Sequence, residues 1–505
     1  MSRLDALTSW SSDWSGLRVA VLGLGATGFA VADTLAELGA RLLVVTEQPD
    51  ETRAAILEVL AVPVVVAPRD EVPAALTDLD PELVVVSPGY RPDHPLLAWA
   101  AARGIPAWGD IELAWRLRDK VRAADWITVT GTNGKTTTTR LTAQLLREAG
   151  MRVADVGNIG IPVLDAIRDP EGFDVLVVEL SSFQLHRLPI TGPGAPHPLA
   201  SVCLNLADDH VDWHGSREAY AAAKGRVYAN TRVACVYNRA DARTMRMVED
   251  AEVEEGCRAI GFGLGVPGPS DVGIVDGILV DRAFLDARRD RALELTTVAE
   301  LEARGLGSPH LTANVLAAAA LARAAGASPA EVHDGIASFT LDPHRTQLIA
   351  TVDDIAWVDD SKATNPHAAD AALRAFRSVV WIVGGLTKGV DLGELIGQHA
   401  ARLRAVVVVG AERTDVLGAL ARHAPGVRVL EIIAGEDVDV MPEAVRLASS
   451  VAESGDTVLL SPAAASMDQF LDYADRGRRF AQAVTDALGA GGEHGGQPAR
   501  PHESA

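Results

Sequence analysis

The chain has 505 residues, with 46 basic and 68 acidic side chains and a formal net charge of −22. This length exceeds what one hydrophobic core can serve, so roughly two to four domains are expected, and an apolar content of 48% can supply their cores. The acidic surplus argues against nucleic acid or an anionic membrane as the main partner, because both require basic surfaces.

Cysteine spacing and hydropathy exclude further classes of protein. The three cysteines are widely spaced and form no CxxC pair, so neither a disulfide framework nor a zinc site is predicted. The first residues lack the basic and apolar segments of a signal peptide, and no apolar run reaches the length of a membrane span. We therefore expect a cytoplasmic protein that does not insert into a membrane.

The first part of the chain alternates short β-branched runs with helical patterns. These runs occupy residues 18–23, 41–46, 62–67 and 82–87. Strands without polar interruptions that alternate with helices are typical of parallel sheets covered on both faces. The pattern predicts an α/β domain.

Two further series of apolar runs follow. The second series occupies residues 126–130, 174–180, 201–206 and 232–238. The third series contains residues 379–385, 404–410 and 456–461. The predicted domains are residues 1–123, 124–342 and 343–488, and the Gly- and Pro-containing segment 489–505 is predicted to be a disordered tail.

A glycine motif, Gly23-x-Gly25-x-x-Gly28, follows the first run and opens a helix. Glu47 ends the next run, about where an acid that binds the ribose of a dinucleotide is expected. The glycines let the backbone approach a pyrophosphate at a helix N-terminus, where free N–H groups and the helix dipole favour an anion. The motif leaves three interpretations open: NAD, another diphosphate such as that of a nucleotide sugar, or a tight turn without a ligand.

A second glycine motif, TGTNGKTT, lies at residues 130–137 between a strand and a helix. It departs from the usual Walker pattern, because Val129 stands where GxxxxGK[ST] has its first glycine. Backbone N–H groups of residues 132–136 can still wrap phosphate oxygens, Lys135 can reach the β- and γ-phosphates, and the Thr136 hydroxyl can bind Mg²⁺. We expect this loop to bind a nucleoside triphosphate that the reaction consumes.

Polar residues follow the next strands of the same series. Glu179 ends the run DVLVVEL, and a buried acid at this edge of a sheet is costly unless it is paired or bound to a cation. Mg²⁺ coordination is the favoured interpretation for Glu179. His210 follows the run at 201–206, and it is either a functional residue or an ordinary hydrogen-bonded histidine.

The order of short motifs along the chain is more specific than any one of them. These motifs are GLGATG, SPG, TGTNGKTT, GNIG, ELSSFQL, DDHVDWHG, YAAAKGRVY, HLTANVLAA, DPHRTQ, DDSKATNP, GGLTKG and SPAAASMDQFLDYADRG. Together they resemble the Mur ligase family over nearly the whole sequence. SPAAASMDQF stands where sister ligases carry a GKGHE-like segment, as in the members that add D-glutamate.

The resemblance implies a fold and an activity. It implies three α/β domains: a Rossmann-like UDP-sugar-binding domain, a central P-loop-type ATPase domain with a mostly parallel sheet, and a Rossmann-like domain for the amino acid. The implied activity is ATP-dependent ligation of D-glutamate to UDP-N-acetylmuramoyl-L-alanine through an acyl phosphate, in peptidoglycan synthesis. The expected cofactors are ATP and a pair of Mg²⁺ ions, and we expect a monomer. A nicotinamide oxidoreductase, an ATP-driven switch and a folate polyglutamylating ligase are the alternatives.

The resemblance also assigns three groups of binding residues. The UDP-sugar group comprises Gly25, Ala26, Thr27, Thr46, Ser87 and Asn158. The ATP group comprises Gly131, Thr132, Asn133, Gly134, Lys135, Thr136, Thr137, Asn314, Arg345 and Asp360. The D-glutamate group comprises Thr364, Lys388, Ser466, Met467 and Tyr473. Many family members have an arginine after the Thr46 equivalent to contact the uridine end, whereas this chain has Glu47.

Catalytic and metal-binding roles follow from the same resemblance. The catalytic group comprises Lys135, His210, Lys224 and Lys362. The metal group comprises Thr136, Glu179, His210 and Lys224, the last as a carbamate that supplies oxygen ligands. From the residues alone, an exposed helix lysine is the favoured interpretation of Lys224.

Overall fold

Three β-sheets with five, nine and six strands organise the described part of the protein. The computed structural model describes residues 3–48, 50–341, 343–387, 389–432 and 439–489. Residues up to Leu206 together with Trp213–Thr340 form one compact unit, and Ala207–Asp212 together with the residues from Leu341 on form a second. The first unit contains the five- and nine-stranded sheets, and the second contains the six-stranded sheet.

The five-stranded sheet is entirely parallel. Its strands are β1 (Arg18–Leu22), β2 (Arg41–Thr46), β3 (Val64–Val66), β4 (Leu83–Val86) and β5 (Ala107–Gly109). Its helices are α1 (Ala26–Glu37), α2 (Glu51–Val59), α3 (Ala74–Leu79), α4 (Pro95–Ala102) and α5 (Asp110–Leu117). The spatial order is β3-β2-β1-β4-β5, so the chain leaves β1 first toward one edge and later toward the other. The carboxyl ends of β1 and β4 consequently border a crevice of the kind in which nucleotides bind.

Burial on both faces explains the uninterrupted apolar runs of this sheet. Val19 and Val21 of β1 belong to one hydrophobic cluster, whereas Ala20 and Leu22 belong to a cluster on the opposite face. Such a strand has no solvent-facing positions, so its sequence does not alternate. The strands predicted at 18–23, 41–46 and 82–87 are confirmed, the one predicted at 62–67 is shorter than expected, and β5 was not predicted.

The nine-stranded sheet is mostly parallel, as predicted for the central domain. Its strands are β6 (Asp125–Thr130), β7 (Val153–Gly157), β8 (Val175–Glu179), β9 (Ala200–Cys203), β10 (Ala234–Asn238), β11 (Arg258–Phe262), β12 (Asp271–Val275), β13 (Ile278–Asp281) and β14 (Leu293–Thr297). The helices of this part of the chain are α6 (Lys135–Glu148), α7 (Val163–Ile167), α8 (Ser182–Arg187), α9 (Val211–His214), α10 (Arg217–Gly225), α11 (Ala242–Glu249), α12 (Val298–Ala303), α13 (Pro309–Ala324) and α14 (Pro329–Ser338). The order is β14-β13-β12-β11-β10-β9-β6-β8-β7, and β12, β13 and β14 pair antiparallel.

The six-stranded sheet has one antiparallel pair, β15 with β16, in the order β15-β16-β20-β17-β18-β19. Its strands are β15 (Gln347–Val352), β16 (Ile355–Asp359), β17 (Val379–Gly384), β18 (Leu403–Val409), β19 (Arg428–Glu431) and β20 (Thr457–Leu460). Its helices are α15 (Pro366–Ala375), α16 (Gly393–His399), α17 (Thr414–His423), α18 (Val440–Ser449) and α19 (Tyr473–Gly489). The predicted strands at 379–385, 404–410 and 456–461 are confirmed.

The domain limits near 123 and 342 stay predictions. Residues 490–505 of the predicted disordered tail lie outside the described residues. No helix in the described ranges is long and apolar enough to cross a membrane.

Candidate active site

The first glycine loop joins β1 to α1, and close backbone contacts shape it. Gly23 has a φ of +97°, and a Cβ on Gly28 would lie only 2.0 Å from the Gly23 carbonyl oxygen. Larger residues at either position would therefore distort the turn. The predicted diphosphate residues Gly25, Ala26 and Thr27 lie where this loop enters α1.

Thr46 is the last residue of β2, and Ser87 directly follows β4; these two strands flank β1. The Gly23 N–H donates to the Val45 carbonyl at 2.8 Å, and the Ser87 N–H donates to the Leu22 carbonyl at 3.0 Å. The Ser87 hydroxyl is buried without a hydrogen-bond partner among the described residues, and it lies 2.7 Å from where a Cβ on Gly23 would be. A buried hydroxyl without a partner is costly, and an oxygen of a bound ligand would satisfy it. The structure therefore brings Thr46 and Ser87 together with the glycine loop.

Asn158 and Glu179 lie together at the ends of β7 and β8. The Asn158 side-chain amide donates to Glu179 Oε1 at 3.0 Å, and its backbone N–H donates to the Glu179 carbonyl at 2.9 Å. Glu179 is only 1% exposed, and its Oε2 has no hydrogen-bond partner in the described ranges. A buried carboxylate oxygen of this kind fits a divalent cation, which would offset the desolvation cost.

The described residues offer no ready-made cage for that cation. Among them, no group of three His, Cys, Asp or Glu side chains is arranged to hold a metal ion. Mg²⁺ commonly takes one or two protein oxygens and completes its shell with water and substrate phosphates. Thr136 and Glu179 suit such a site, since Glu179 pairs with Val129 on β6, the strand that leads into the second glycine loop.

The second glycine loop joins β6 to α6, and its Gly131 and Gly134 have φ values of +147° and +85°. A Cβ on Gly134 would lie 2.4 Å from Asn314 Oδ1, so the predicted ATP residue Asn314 lies against the loop. Asn205 also fastens the loop: its Oδ1 accepts from the Asn133 N–H at 2.9 Å, and its Nδ2 donates to the Asn133 carbonyl at 3.0 Å. Both contacts fix the loop's shape.

The first turn of α6 follows this loop directly. Thr136 and Thr137 are buried there, and the Thr137 hydroxyl has no hydrogen-bond partner among the residues that the structure describes. The Thr132 hydroxyl lies 2.9 Å from the Tyr220 hydroxyl, which ties the loop to α10. Free N–H groups and the helix dipole at such a helix start favour a phosphate.

Two lysines converge on the same backbone oxygen. Lys135 Nζ donates to the Gly131 and Thr132 carbonyls, both at 2.9 Å. Lys224 Nζ donates to the Gly131 carbonyl at 2.8 Å and lies 3.3 Å from Thr130 Oγ1. Lys224 is only 2% exposed, so the interpretation as an exposed helix lysine is wrong. Two ammonium groups this close together repel each other, and an anion beside them would stabilise both.

His210 belongs to the second compact unit and has a φ of +52°. Its backbone N–H donates to Asp209 Oδ1 at 2.9 Å, and its ring Nε2 lies 3.5 Å from Asp209 Oδ2. Asp209 therefore restricts the orientation of the imidazole. The ring is partly exposed.

Asp360 follows the end of β16 and is buried. Its Oδ1 accepts from the Thr346 N–H at 3.1 Å, and its Oδ2 accepts from the Ser461 hydroxyl at 2.9 Å. Burial raises the pKa of Asp360 to about 7, while these hydrogen bonds and the charge of Arg345 act in the opposite direction. The structure thus brings Arg345 within electrostatic reach of Asp360, and the carboxyl group titrates near neutral pH.

Lys362 and Tyr473 also lie together. Lys362 Nζ is 4.8 Å from the centre of the Tyr473 ring, and the Ser361 hydroxyl donates to the Tyr473 carbonyl at 2.7 Å. The buried Arg476 donates to the Ser361 hydroxyl at 2.9 Å and to the Ser361 carbonyl at 2.7 Å. Arg476 therefore holds the DSKATN segment against the start of α19.

The remaining D-glutamate candidates differ in exposure. The Thr364 N–H donates to the Lys362 carbonyl at 2.9 Å, and Ser466 is buried. Met467 is 76% exposed, so its side chain is not part of the buried cluster. Lys388 lies outside the described residues.

Three residues that the sequence analysis did not single out hold this machinery in place: Asn205, Tyr220 and Arg476. Tyr220 and Arg476 stand within motifs already recognised, YAAAKGRVY and SPAAASMDQFLDYADRG, and Asn205 lies in the apolar run at 201–206. The surrounding sequence could have drawn attention to these three residues, but their roles depend on contacts with distant segments of the chain.

A glycine loop with positive φ values, placed between a buried strand and a helix, is typical of P-loop nucleotide-binding proteins. Three family models match this chain: "Mur ligase MurD-like, N-terminal domain" over residues 17–109, "Mur ligase middle domain" over 129–322, and "Mur ligase, glutamate ligase domain" over 344–464. The chain therefore belongs to the Mur ligase family, and it is a ligase.

Individual relatives agree with the family models. The chain is 62% identical to the UDP-N-acetylmuramoylalanine--D-glutamate ligase of Leifsonia xyli subsp. xyli, over 99% of this chain and 98% of that protein. It is 51% identical to the ligase of the same name from Streptomyces avermitilis, over 95% of this chain and all of that one. The crystal structure of UDP-N-acetylmuramate-alanine ligase MurC from Thermotoga maritima has the same fold, with a TM-score of 0.55, 20% identity, and coverage of 93% of this chain and 99% of that one.

Proposed function

We propose that the protein joins D-glutamate to UDP-N-acetylmuramoyl-L-alanine, with cleavage of ATP to ADP and phosphate. The names of its relatives, at up to 62% identity over nearly the whole chain, support this choice of substrates. The observation that carries the proposal is the second glycine loop, whose Gly131 and Gly134 have φ values of +147° and +85° and whose Lys135 begins α6. A loop of this kind, with a lysine at the start of the helix, suits the phosphates of a nucleoside triphosphate.

The chemistry follows from the weakness of a carboxylate as an electrophile. The terminal L-alanine carboxylate of the UDP-sugar attacks the γ-phosphorus of ATP, which gives an acyl phosphate and ADP. The amine of D-glutamate then attacks the acyl carbon, and the tetrahedral intermediate expels phosphate. The charge that develops on the transferred phosphoryl group requires fixed positive groups around it.

The first unit supplies several of those groups. Lys135 and the backbone N–H groups of residues 131–137 would hold the phosphates, and Asn314 would hold the nucleotide next to them. Mg²⁺, held by Thr136 and Glu179, would neutralise charge on the phosphate oxygens. The family resemblance also assigns metal-binding roles to Lys224, as a carbamate, and to His210.

The other binding roles remain proposals. The residues at the first glycine loop and Ser87 would bind the diphosphate of the UDP-sugar, and Asn158 would bind the sugar part. Arg345 and Asp360 are expected to contact ATP. Residues expected at the phosphate and the carboxylates of D-glutamate are Lys362, Thr364, Lys388, Ser466, Met467 and Tyr473. We also propose that the enzyme acts as a monomer in the cytoplasm.

Phosphate release in the presence of UDP-N-acetylmuramoyl-L-alanine tests the proposal. We expect release with D-glutamate, and none above background with L-glutamate or meso-diaminopimelate. Lys135→Ala should abolish release. Release without any amino acid would favour an ATP-driven switch, saturable binding of NADH would favour an oxidoreductase, and L-glutamate transfer to a pteroate would favour the folate ligase.

A further inference from the structure

Glu47 directly follows β2, next to the crevice where Thr46 and the first glycine loop meet. Its Oε1 lies 2.8 Å from His94 Nε2. The His94 side chain is 3% exposed, whereas that of Glu47 is 41% exposed. One end of the pair is thus anchored in the domain, and the carboxylate is accessible to a ligand in solution.

The fold fixes the direction of this hydrogen bond. His94 is the N-cap residue of α4, and its Nδ1 accepts from the Leu96 N–H at 3.2 Å. Because Nδ1 uses its lone pair there, the neutral imidazole carries its proton on Nε2 and donates to Glu47. The start of α4 therefore orients the carboxylate through His94.

Tyr90 connects this pair to the glycine loop. Its ring centre lies 4.7 Å from that of His94, and a Cβ on Gly23 would lie 3.2 Å from Tyr90 Cε2. Burial and the nearby Glu47 raise the pKa of Tyr90 to about 12, so its hydroxyl stays neutral. The Thr46 hydroxyl donates to the Gln48 carbonyl at 2.9 Å, which stabilises the turn that presents Glu47.

We propose that Glu47, positioned by His94, binds the ribose hydroxyls of the nucleotide end of the UDP-sugar. This inference rests on the proposed function for the identity of the nucleotide. A carboxylate accepts hydrogen bonds and cannot donate them, so it suits the two adjacent hydroxyls of a ribose. An acid at the end of the second strand of such a fold has this geometry toward a nucleotide bound at the glycine loop.

The carboxylate also determines which ligand atoms can bind here. An arginine at this position would donate to acceptor atoms of the nucleotide, whereas Glu47 requires donor hydroxyls. We therefore predict that the wild-type protein prefers an intact ribose to a deoxyribose. Variants of Glu47 or His94 should lose this preference.

Binding of UDP, 2′-deoxy-UDP and 3′-deoxy-UDP, measured by calorimetry, tests the proposal without reference to turnover. The wild-type protein should bind UDP roughly 10- to 100-fold more tightly than at least one deoxy analogue, as expected when a charge-assisted hydrogen bond is lost. Glu47→Ala should bind all three nucleotides within about twofold of one another. Glu51→Ala, an exposed acid at the start of α2, is the matched control and should keep the wild-type preference.

His94→Asn tests the positioning role. Asparagine is a good N-cap residue and retains an acceptor for the Leu96 N–H, but it is too short to reach Glu47. We expect this variant to melt close to the wild-type temperature and to lose most of the preference for UDP, with a raised KM for the UDP-sugar and little change in kcat.

Two results would overturn the inference: a wild-type protein that binds the deoxy nucleotides as tightly as UDP, or a Glu47→Ala variant that still prefers UDP. Failure of the proposed function has a different signature, because the wild-type protein would then release no D-glutamate-dependent phosphate, whatever its nucleotide preference.

Discussion

In the second glycine loop, one substitution at Gly134 perturbs both the backbone conformation and a side-chain contact. Its φ of +85° is unfavourable for any residue with a Cβ, and a Cβ there would lie 2.4 Å from Asn314 Oδ1. We expect Gly134→Ala to strain the loop and to displace Asn314.

The size of both effects follows from the structure. The left-handed conformation costs an alanine about 1–2 kcal/mol. The contact with Asn314 is about 1 Å shorter than ordinary van der Waals contact, so the amide must move by about that distance. A displacement of about 1 Å at a positioning group can lower kcat/KM about 100-fold. We therefore expect a fall of that order in kcat/KM for ATP.

Gly150→Ala separates the two effects. Gly150 follows the other end of α6 with a φ of +77°, it is exposed, and a Cβ there would meet no atom within 4 Å. Chemical denaturation should show similar losses of stability for both variants, whereas steady-state kinetics at varied ATP should show the large defect only in Gly134→Ala. Equal ATP kinetics in the two variants would refute the reasoning that the close approach of Asn314 shapes the nucleotide site.

Three more predictions concern other parts of the site. Gly28→Ala places a Cβ 2.0 Å from the Gly23 carbonyl oxygen and should raise KM for the UDP-sugar roughly tenfold or more, with KM for ATP unchanged in the same assay. Glu179→Gln keeps the shape but removes the charge, so a titration should show that half-maximal phosphate release needs roughly tenfold more Mg²⁺. Asp360 has a pKa of about 7 against an ordinary 3.8. The native state therefore binds this proton more tightly than the unfolded state, and the free energy of unfolding should fall by up to about 4 kcal/mol from pH 4 to 8, as measured in urea, a fall that Asp360→Asn should remove.

The sequence predicted much of the fold, because parallel strands buried on both faces leave uninterrupted apolar runs. β1, β2 and β4 are of this kind. The antiparallel strands β12 to β14 are interrupted by polar residues and turns, and the three-residue β5 is too short to give a pattern, so neither was predicted. The run at 201–206 was predicted as one strand, but β9 ends at Cys203, and Asn205, two residues further on, accepts a hydrogen bond from the Asn133 N–H of the second glycine loop.

The site was less predictable than the fold, since its geometry depends on distant contacts. The sequence of α10 alone favours an exposed Lys224, whereas in the structure Lys224 is buried and donates to the Gly131 carbonyl, 93 residues away. Glu47 stands where a ribose-binding acid is expected, but nothing in the sequence indicates that His94 orients it. Motif order identified the family, whereas partners such as these require the folded chain.

We expect the loop around Gly134 to hold ATP so that a carboxylate becomes an acyl phosphate. The most direct measurement uses UDP-N-acetylmuramoyl-L-alanine labelled with ¹⁸O in its terminal carboxylate, together with ATP, Mg²⁺ and D-glutamate. We expect the transfer of one labelled oxygen into each released phosphate, detected by mass spectrometry. Product formation with unlabelled phosphate would contradict it.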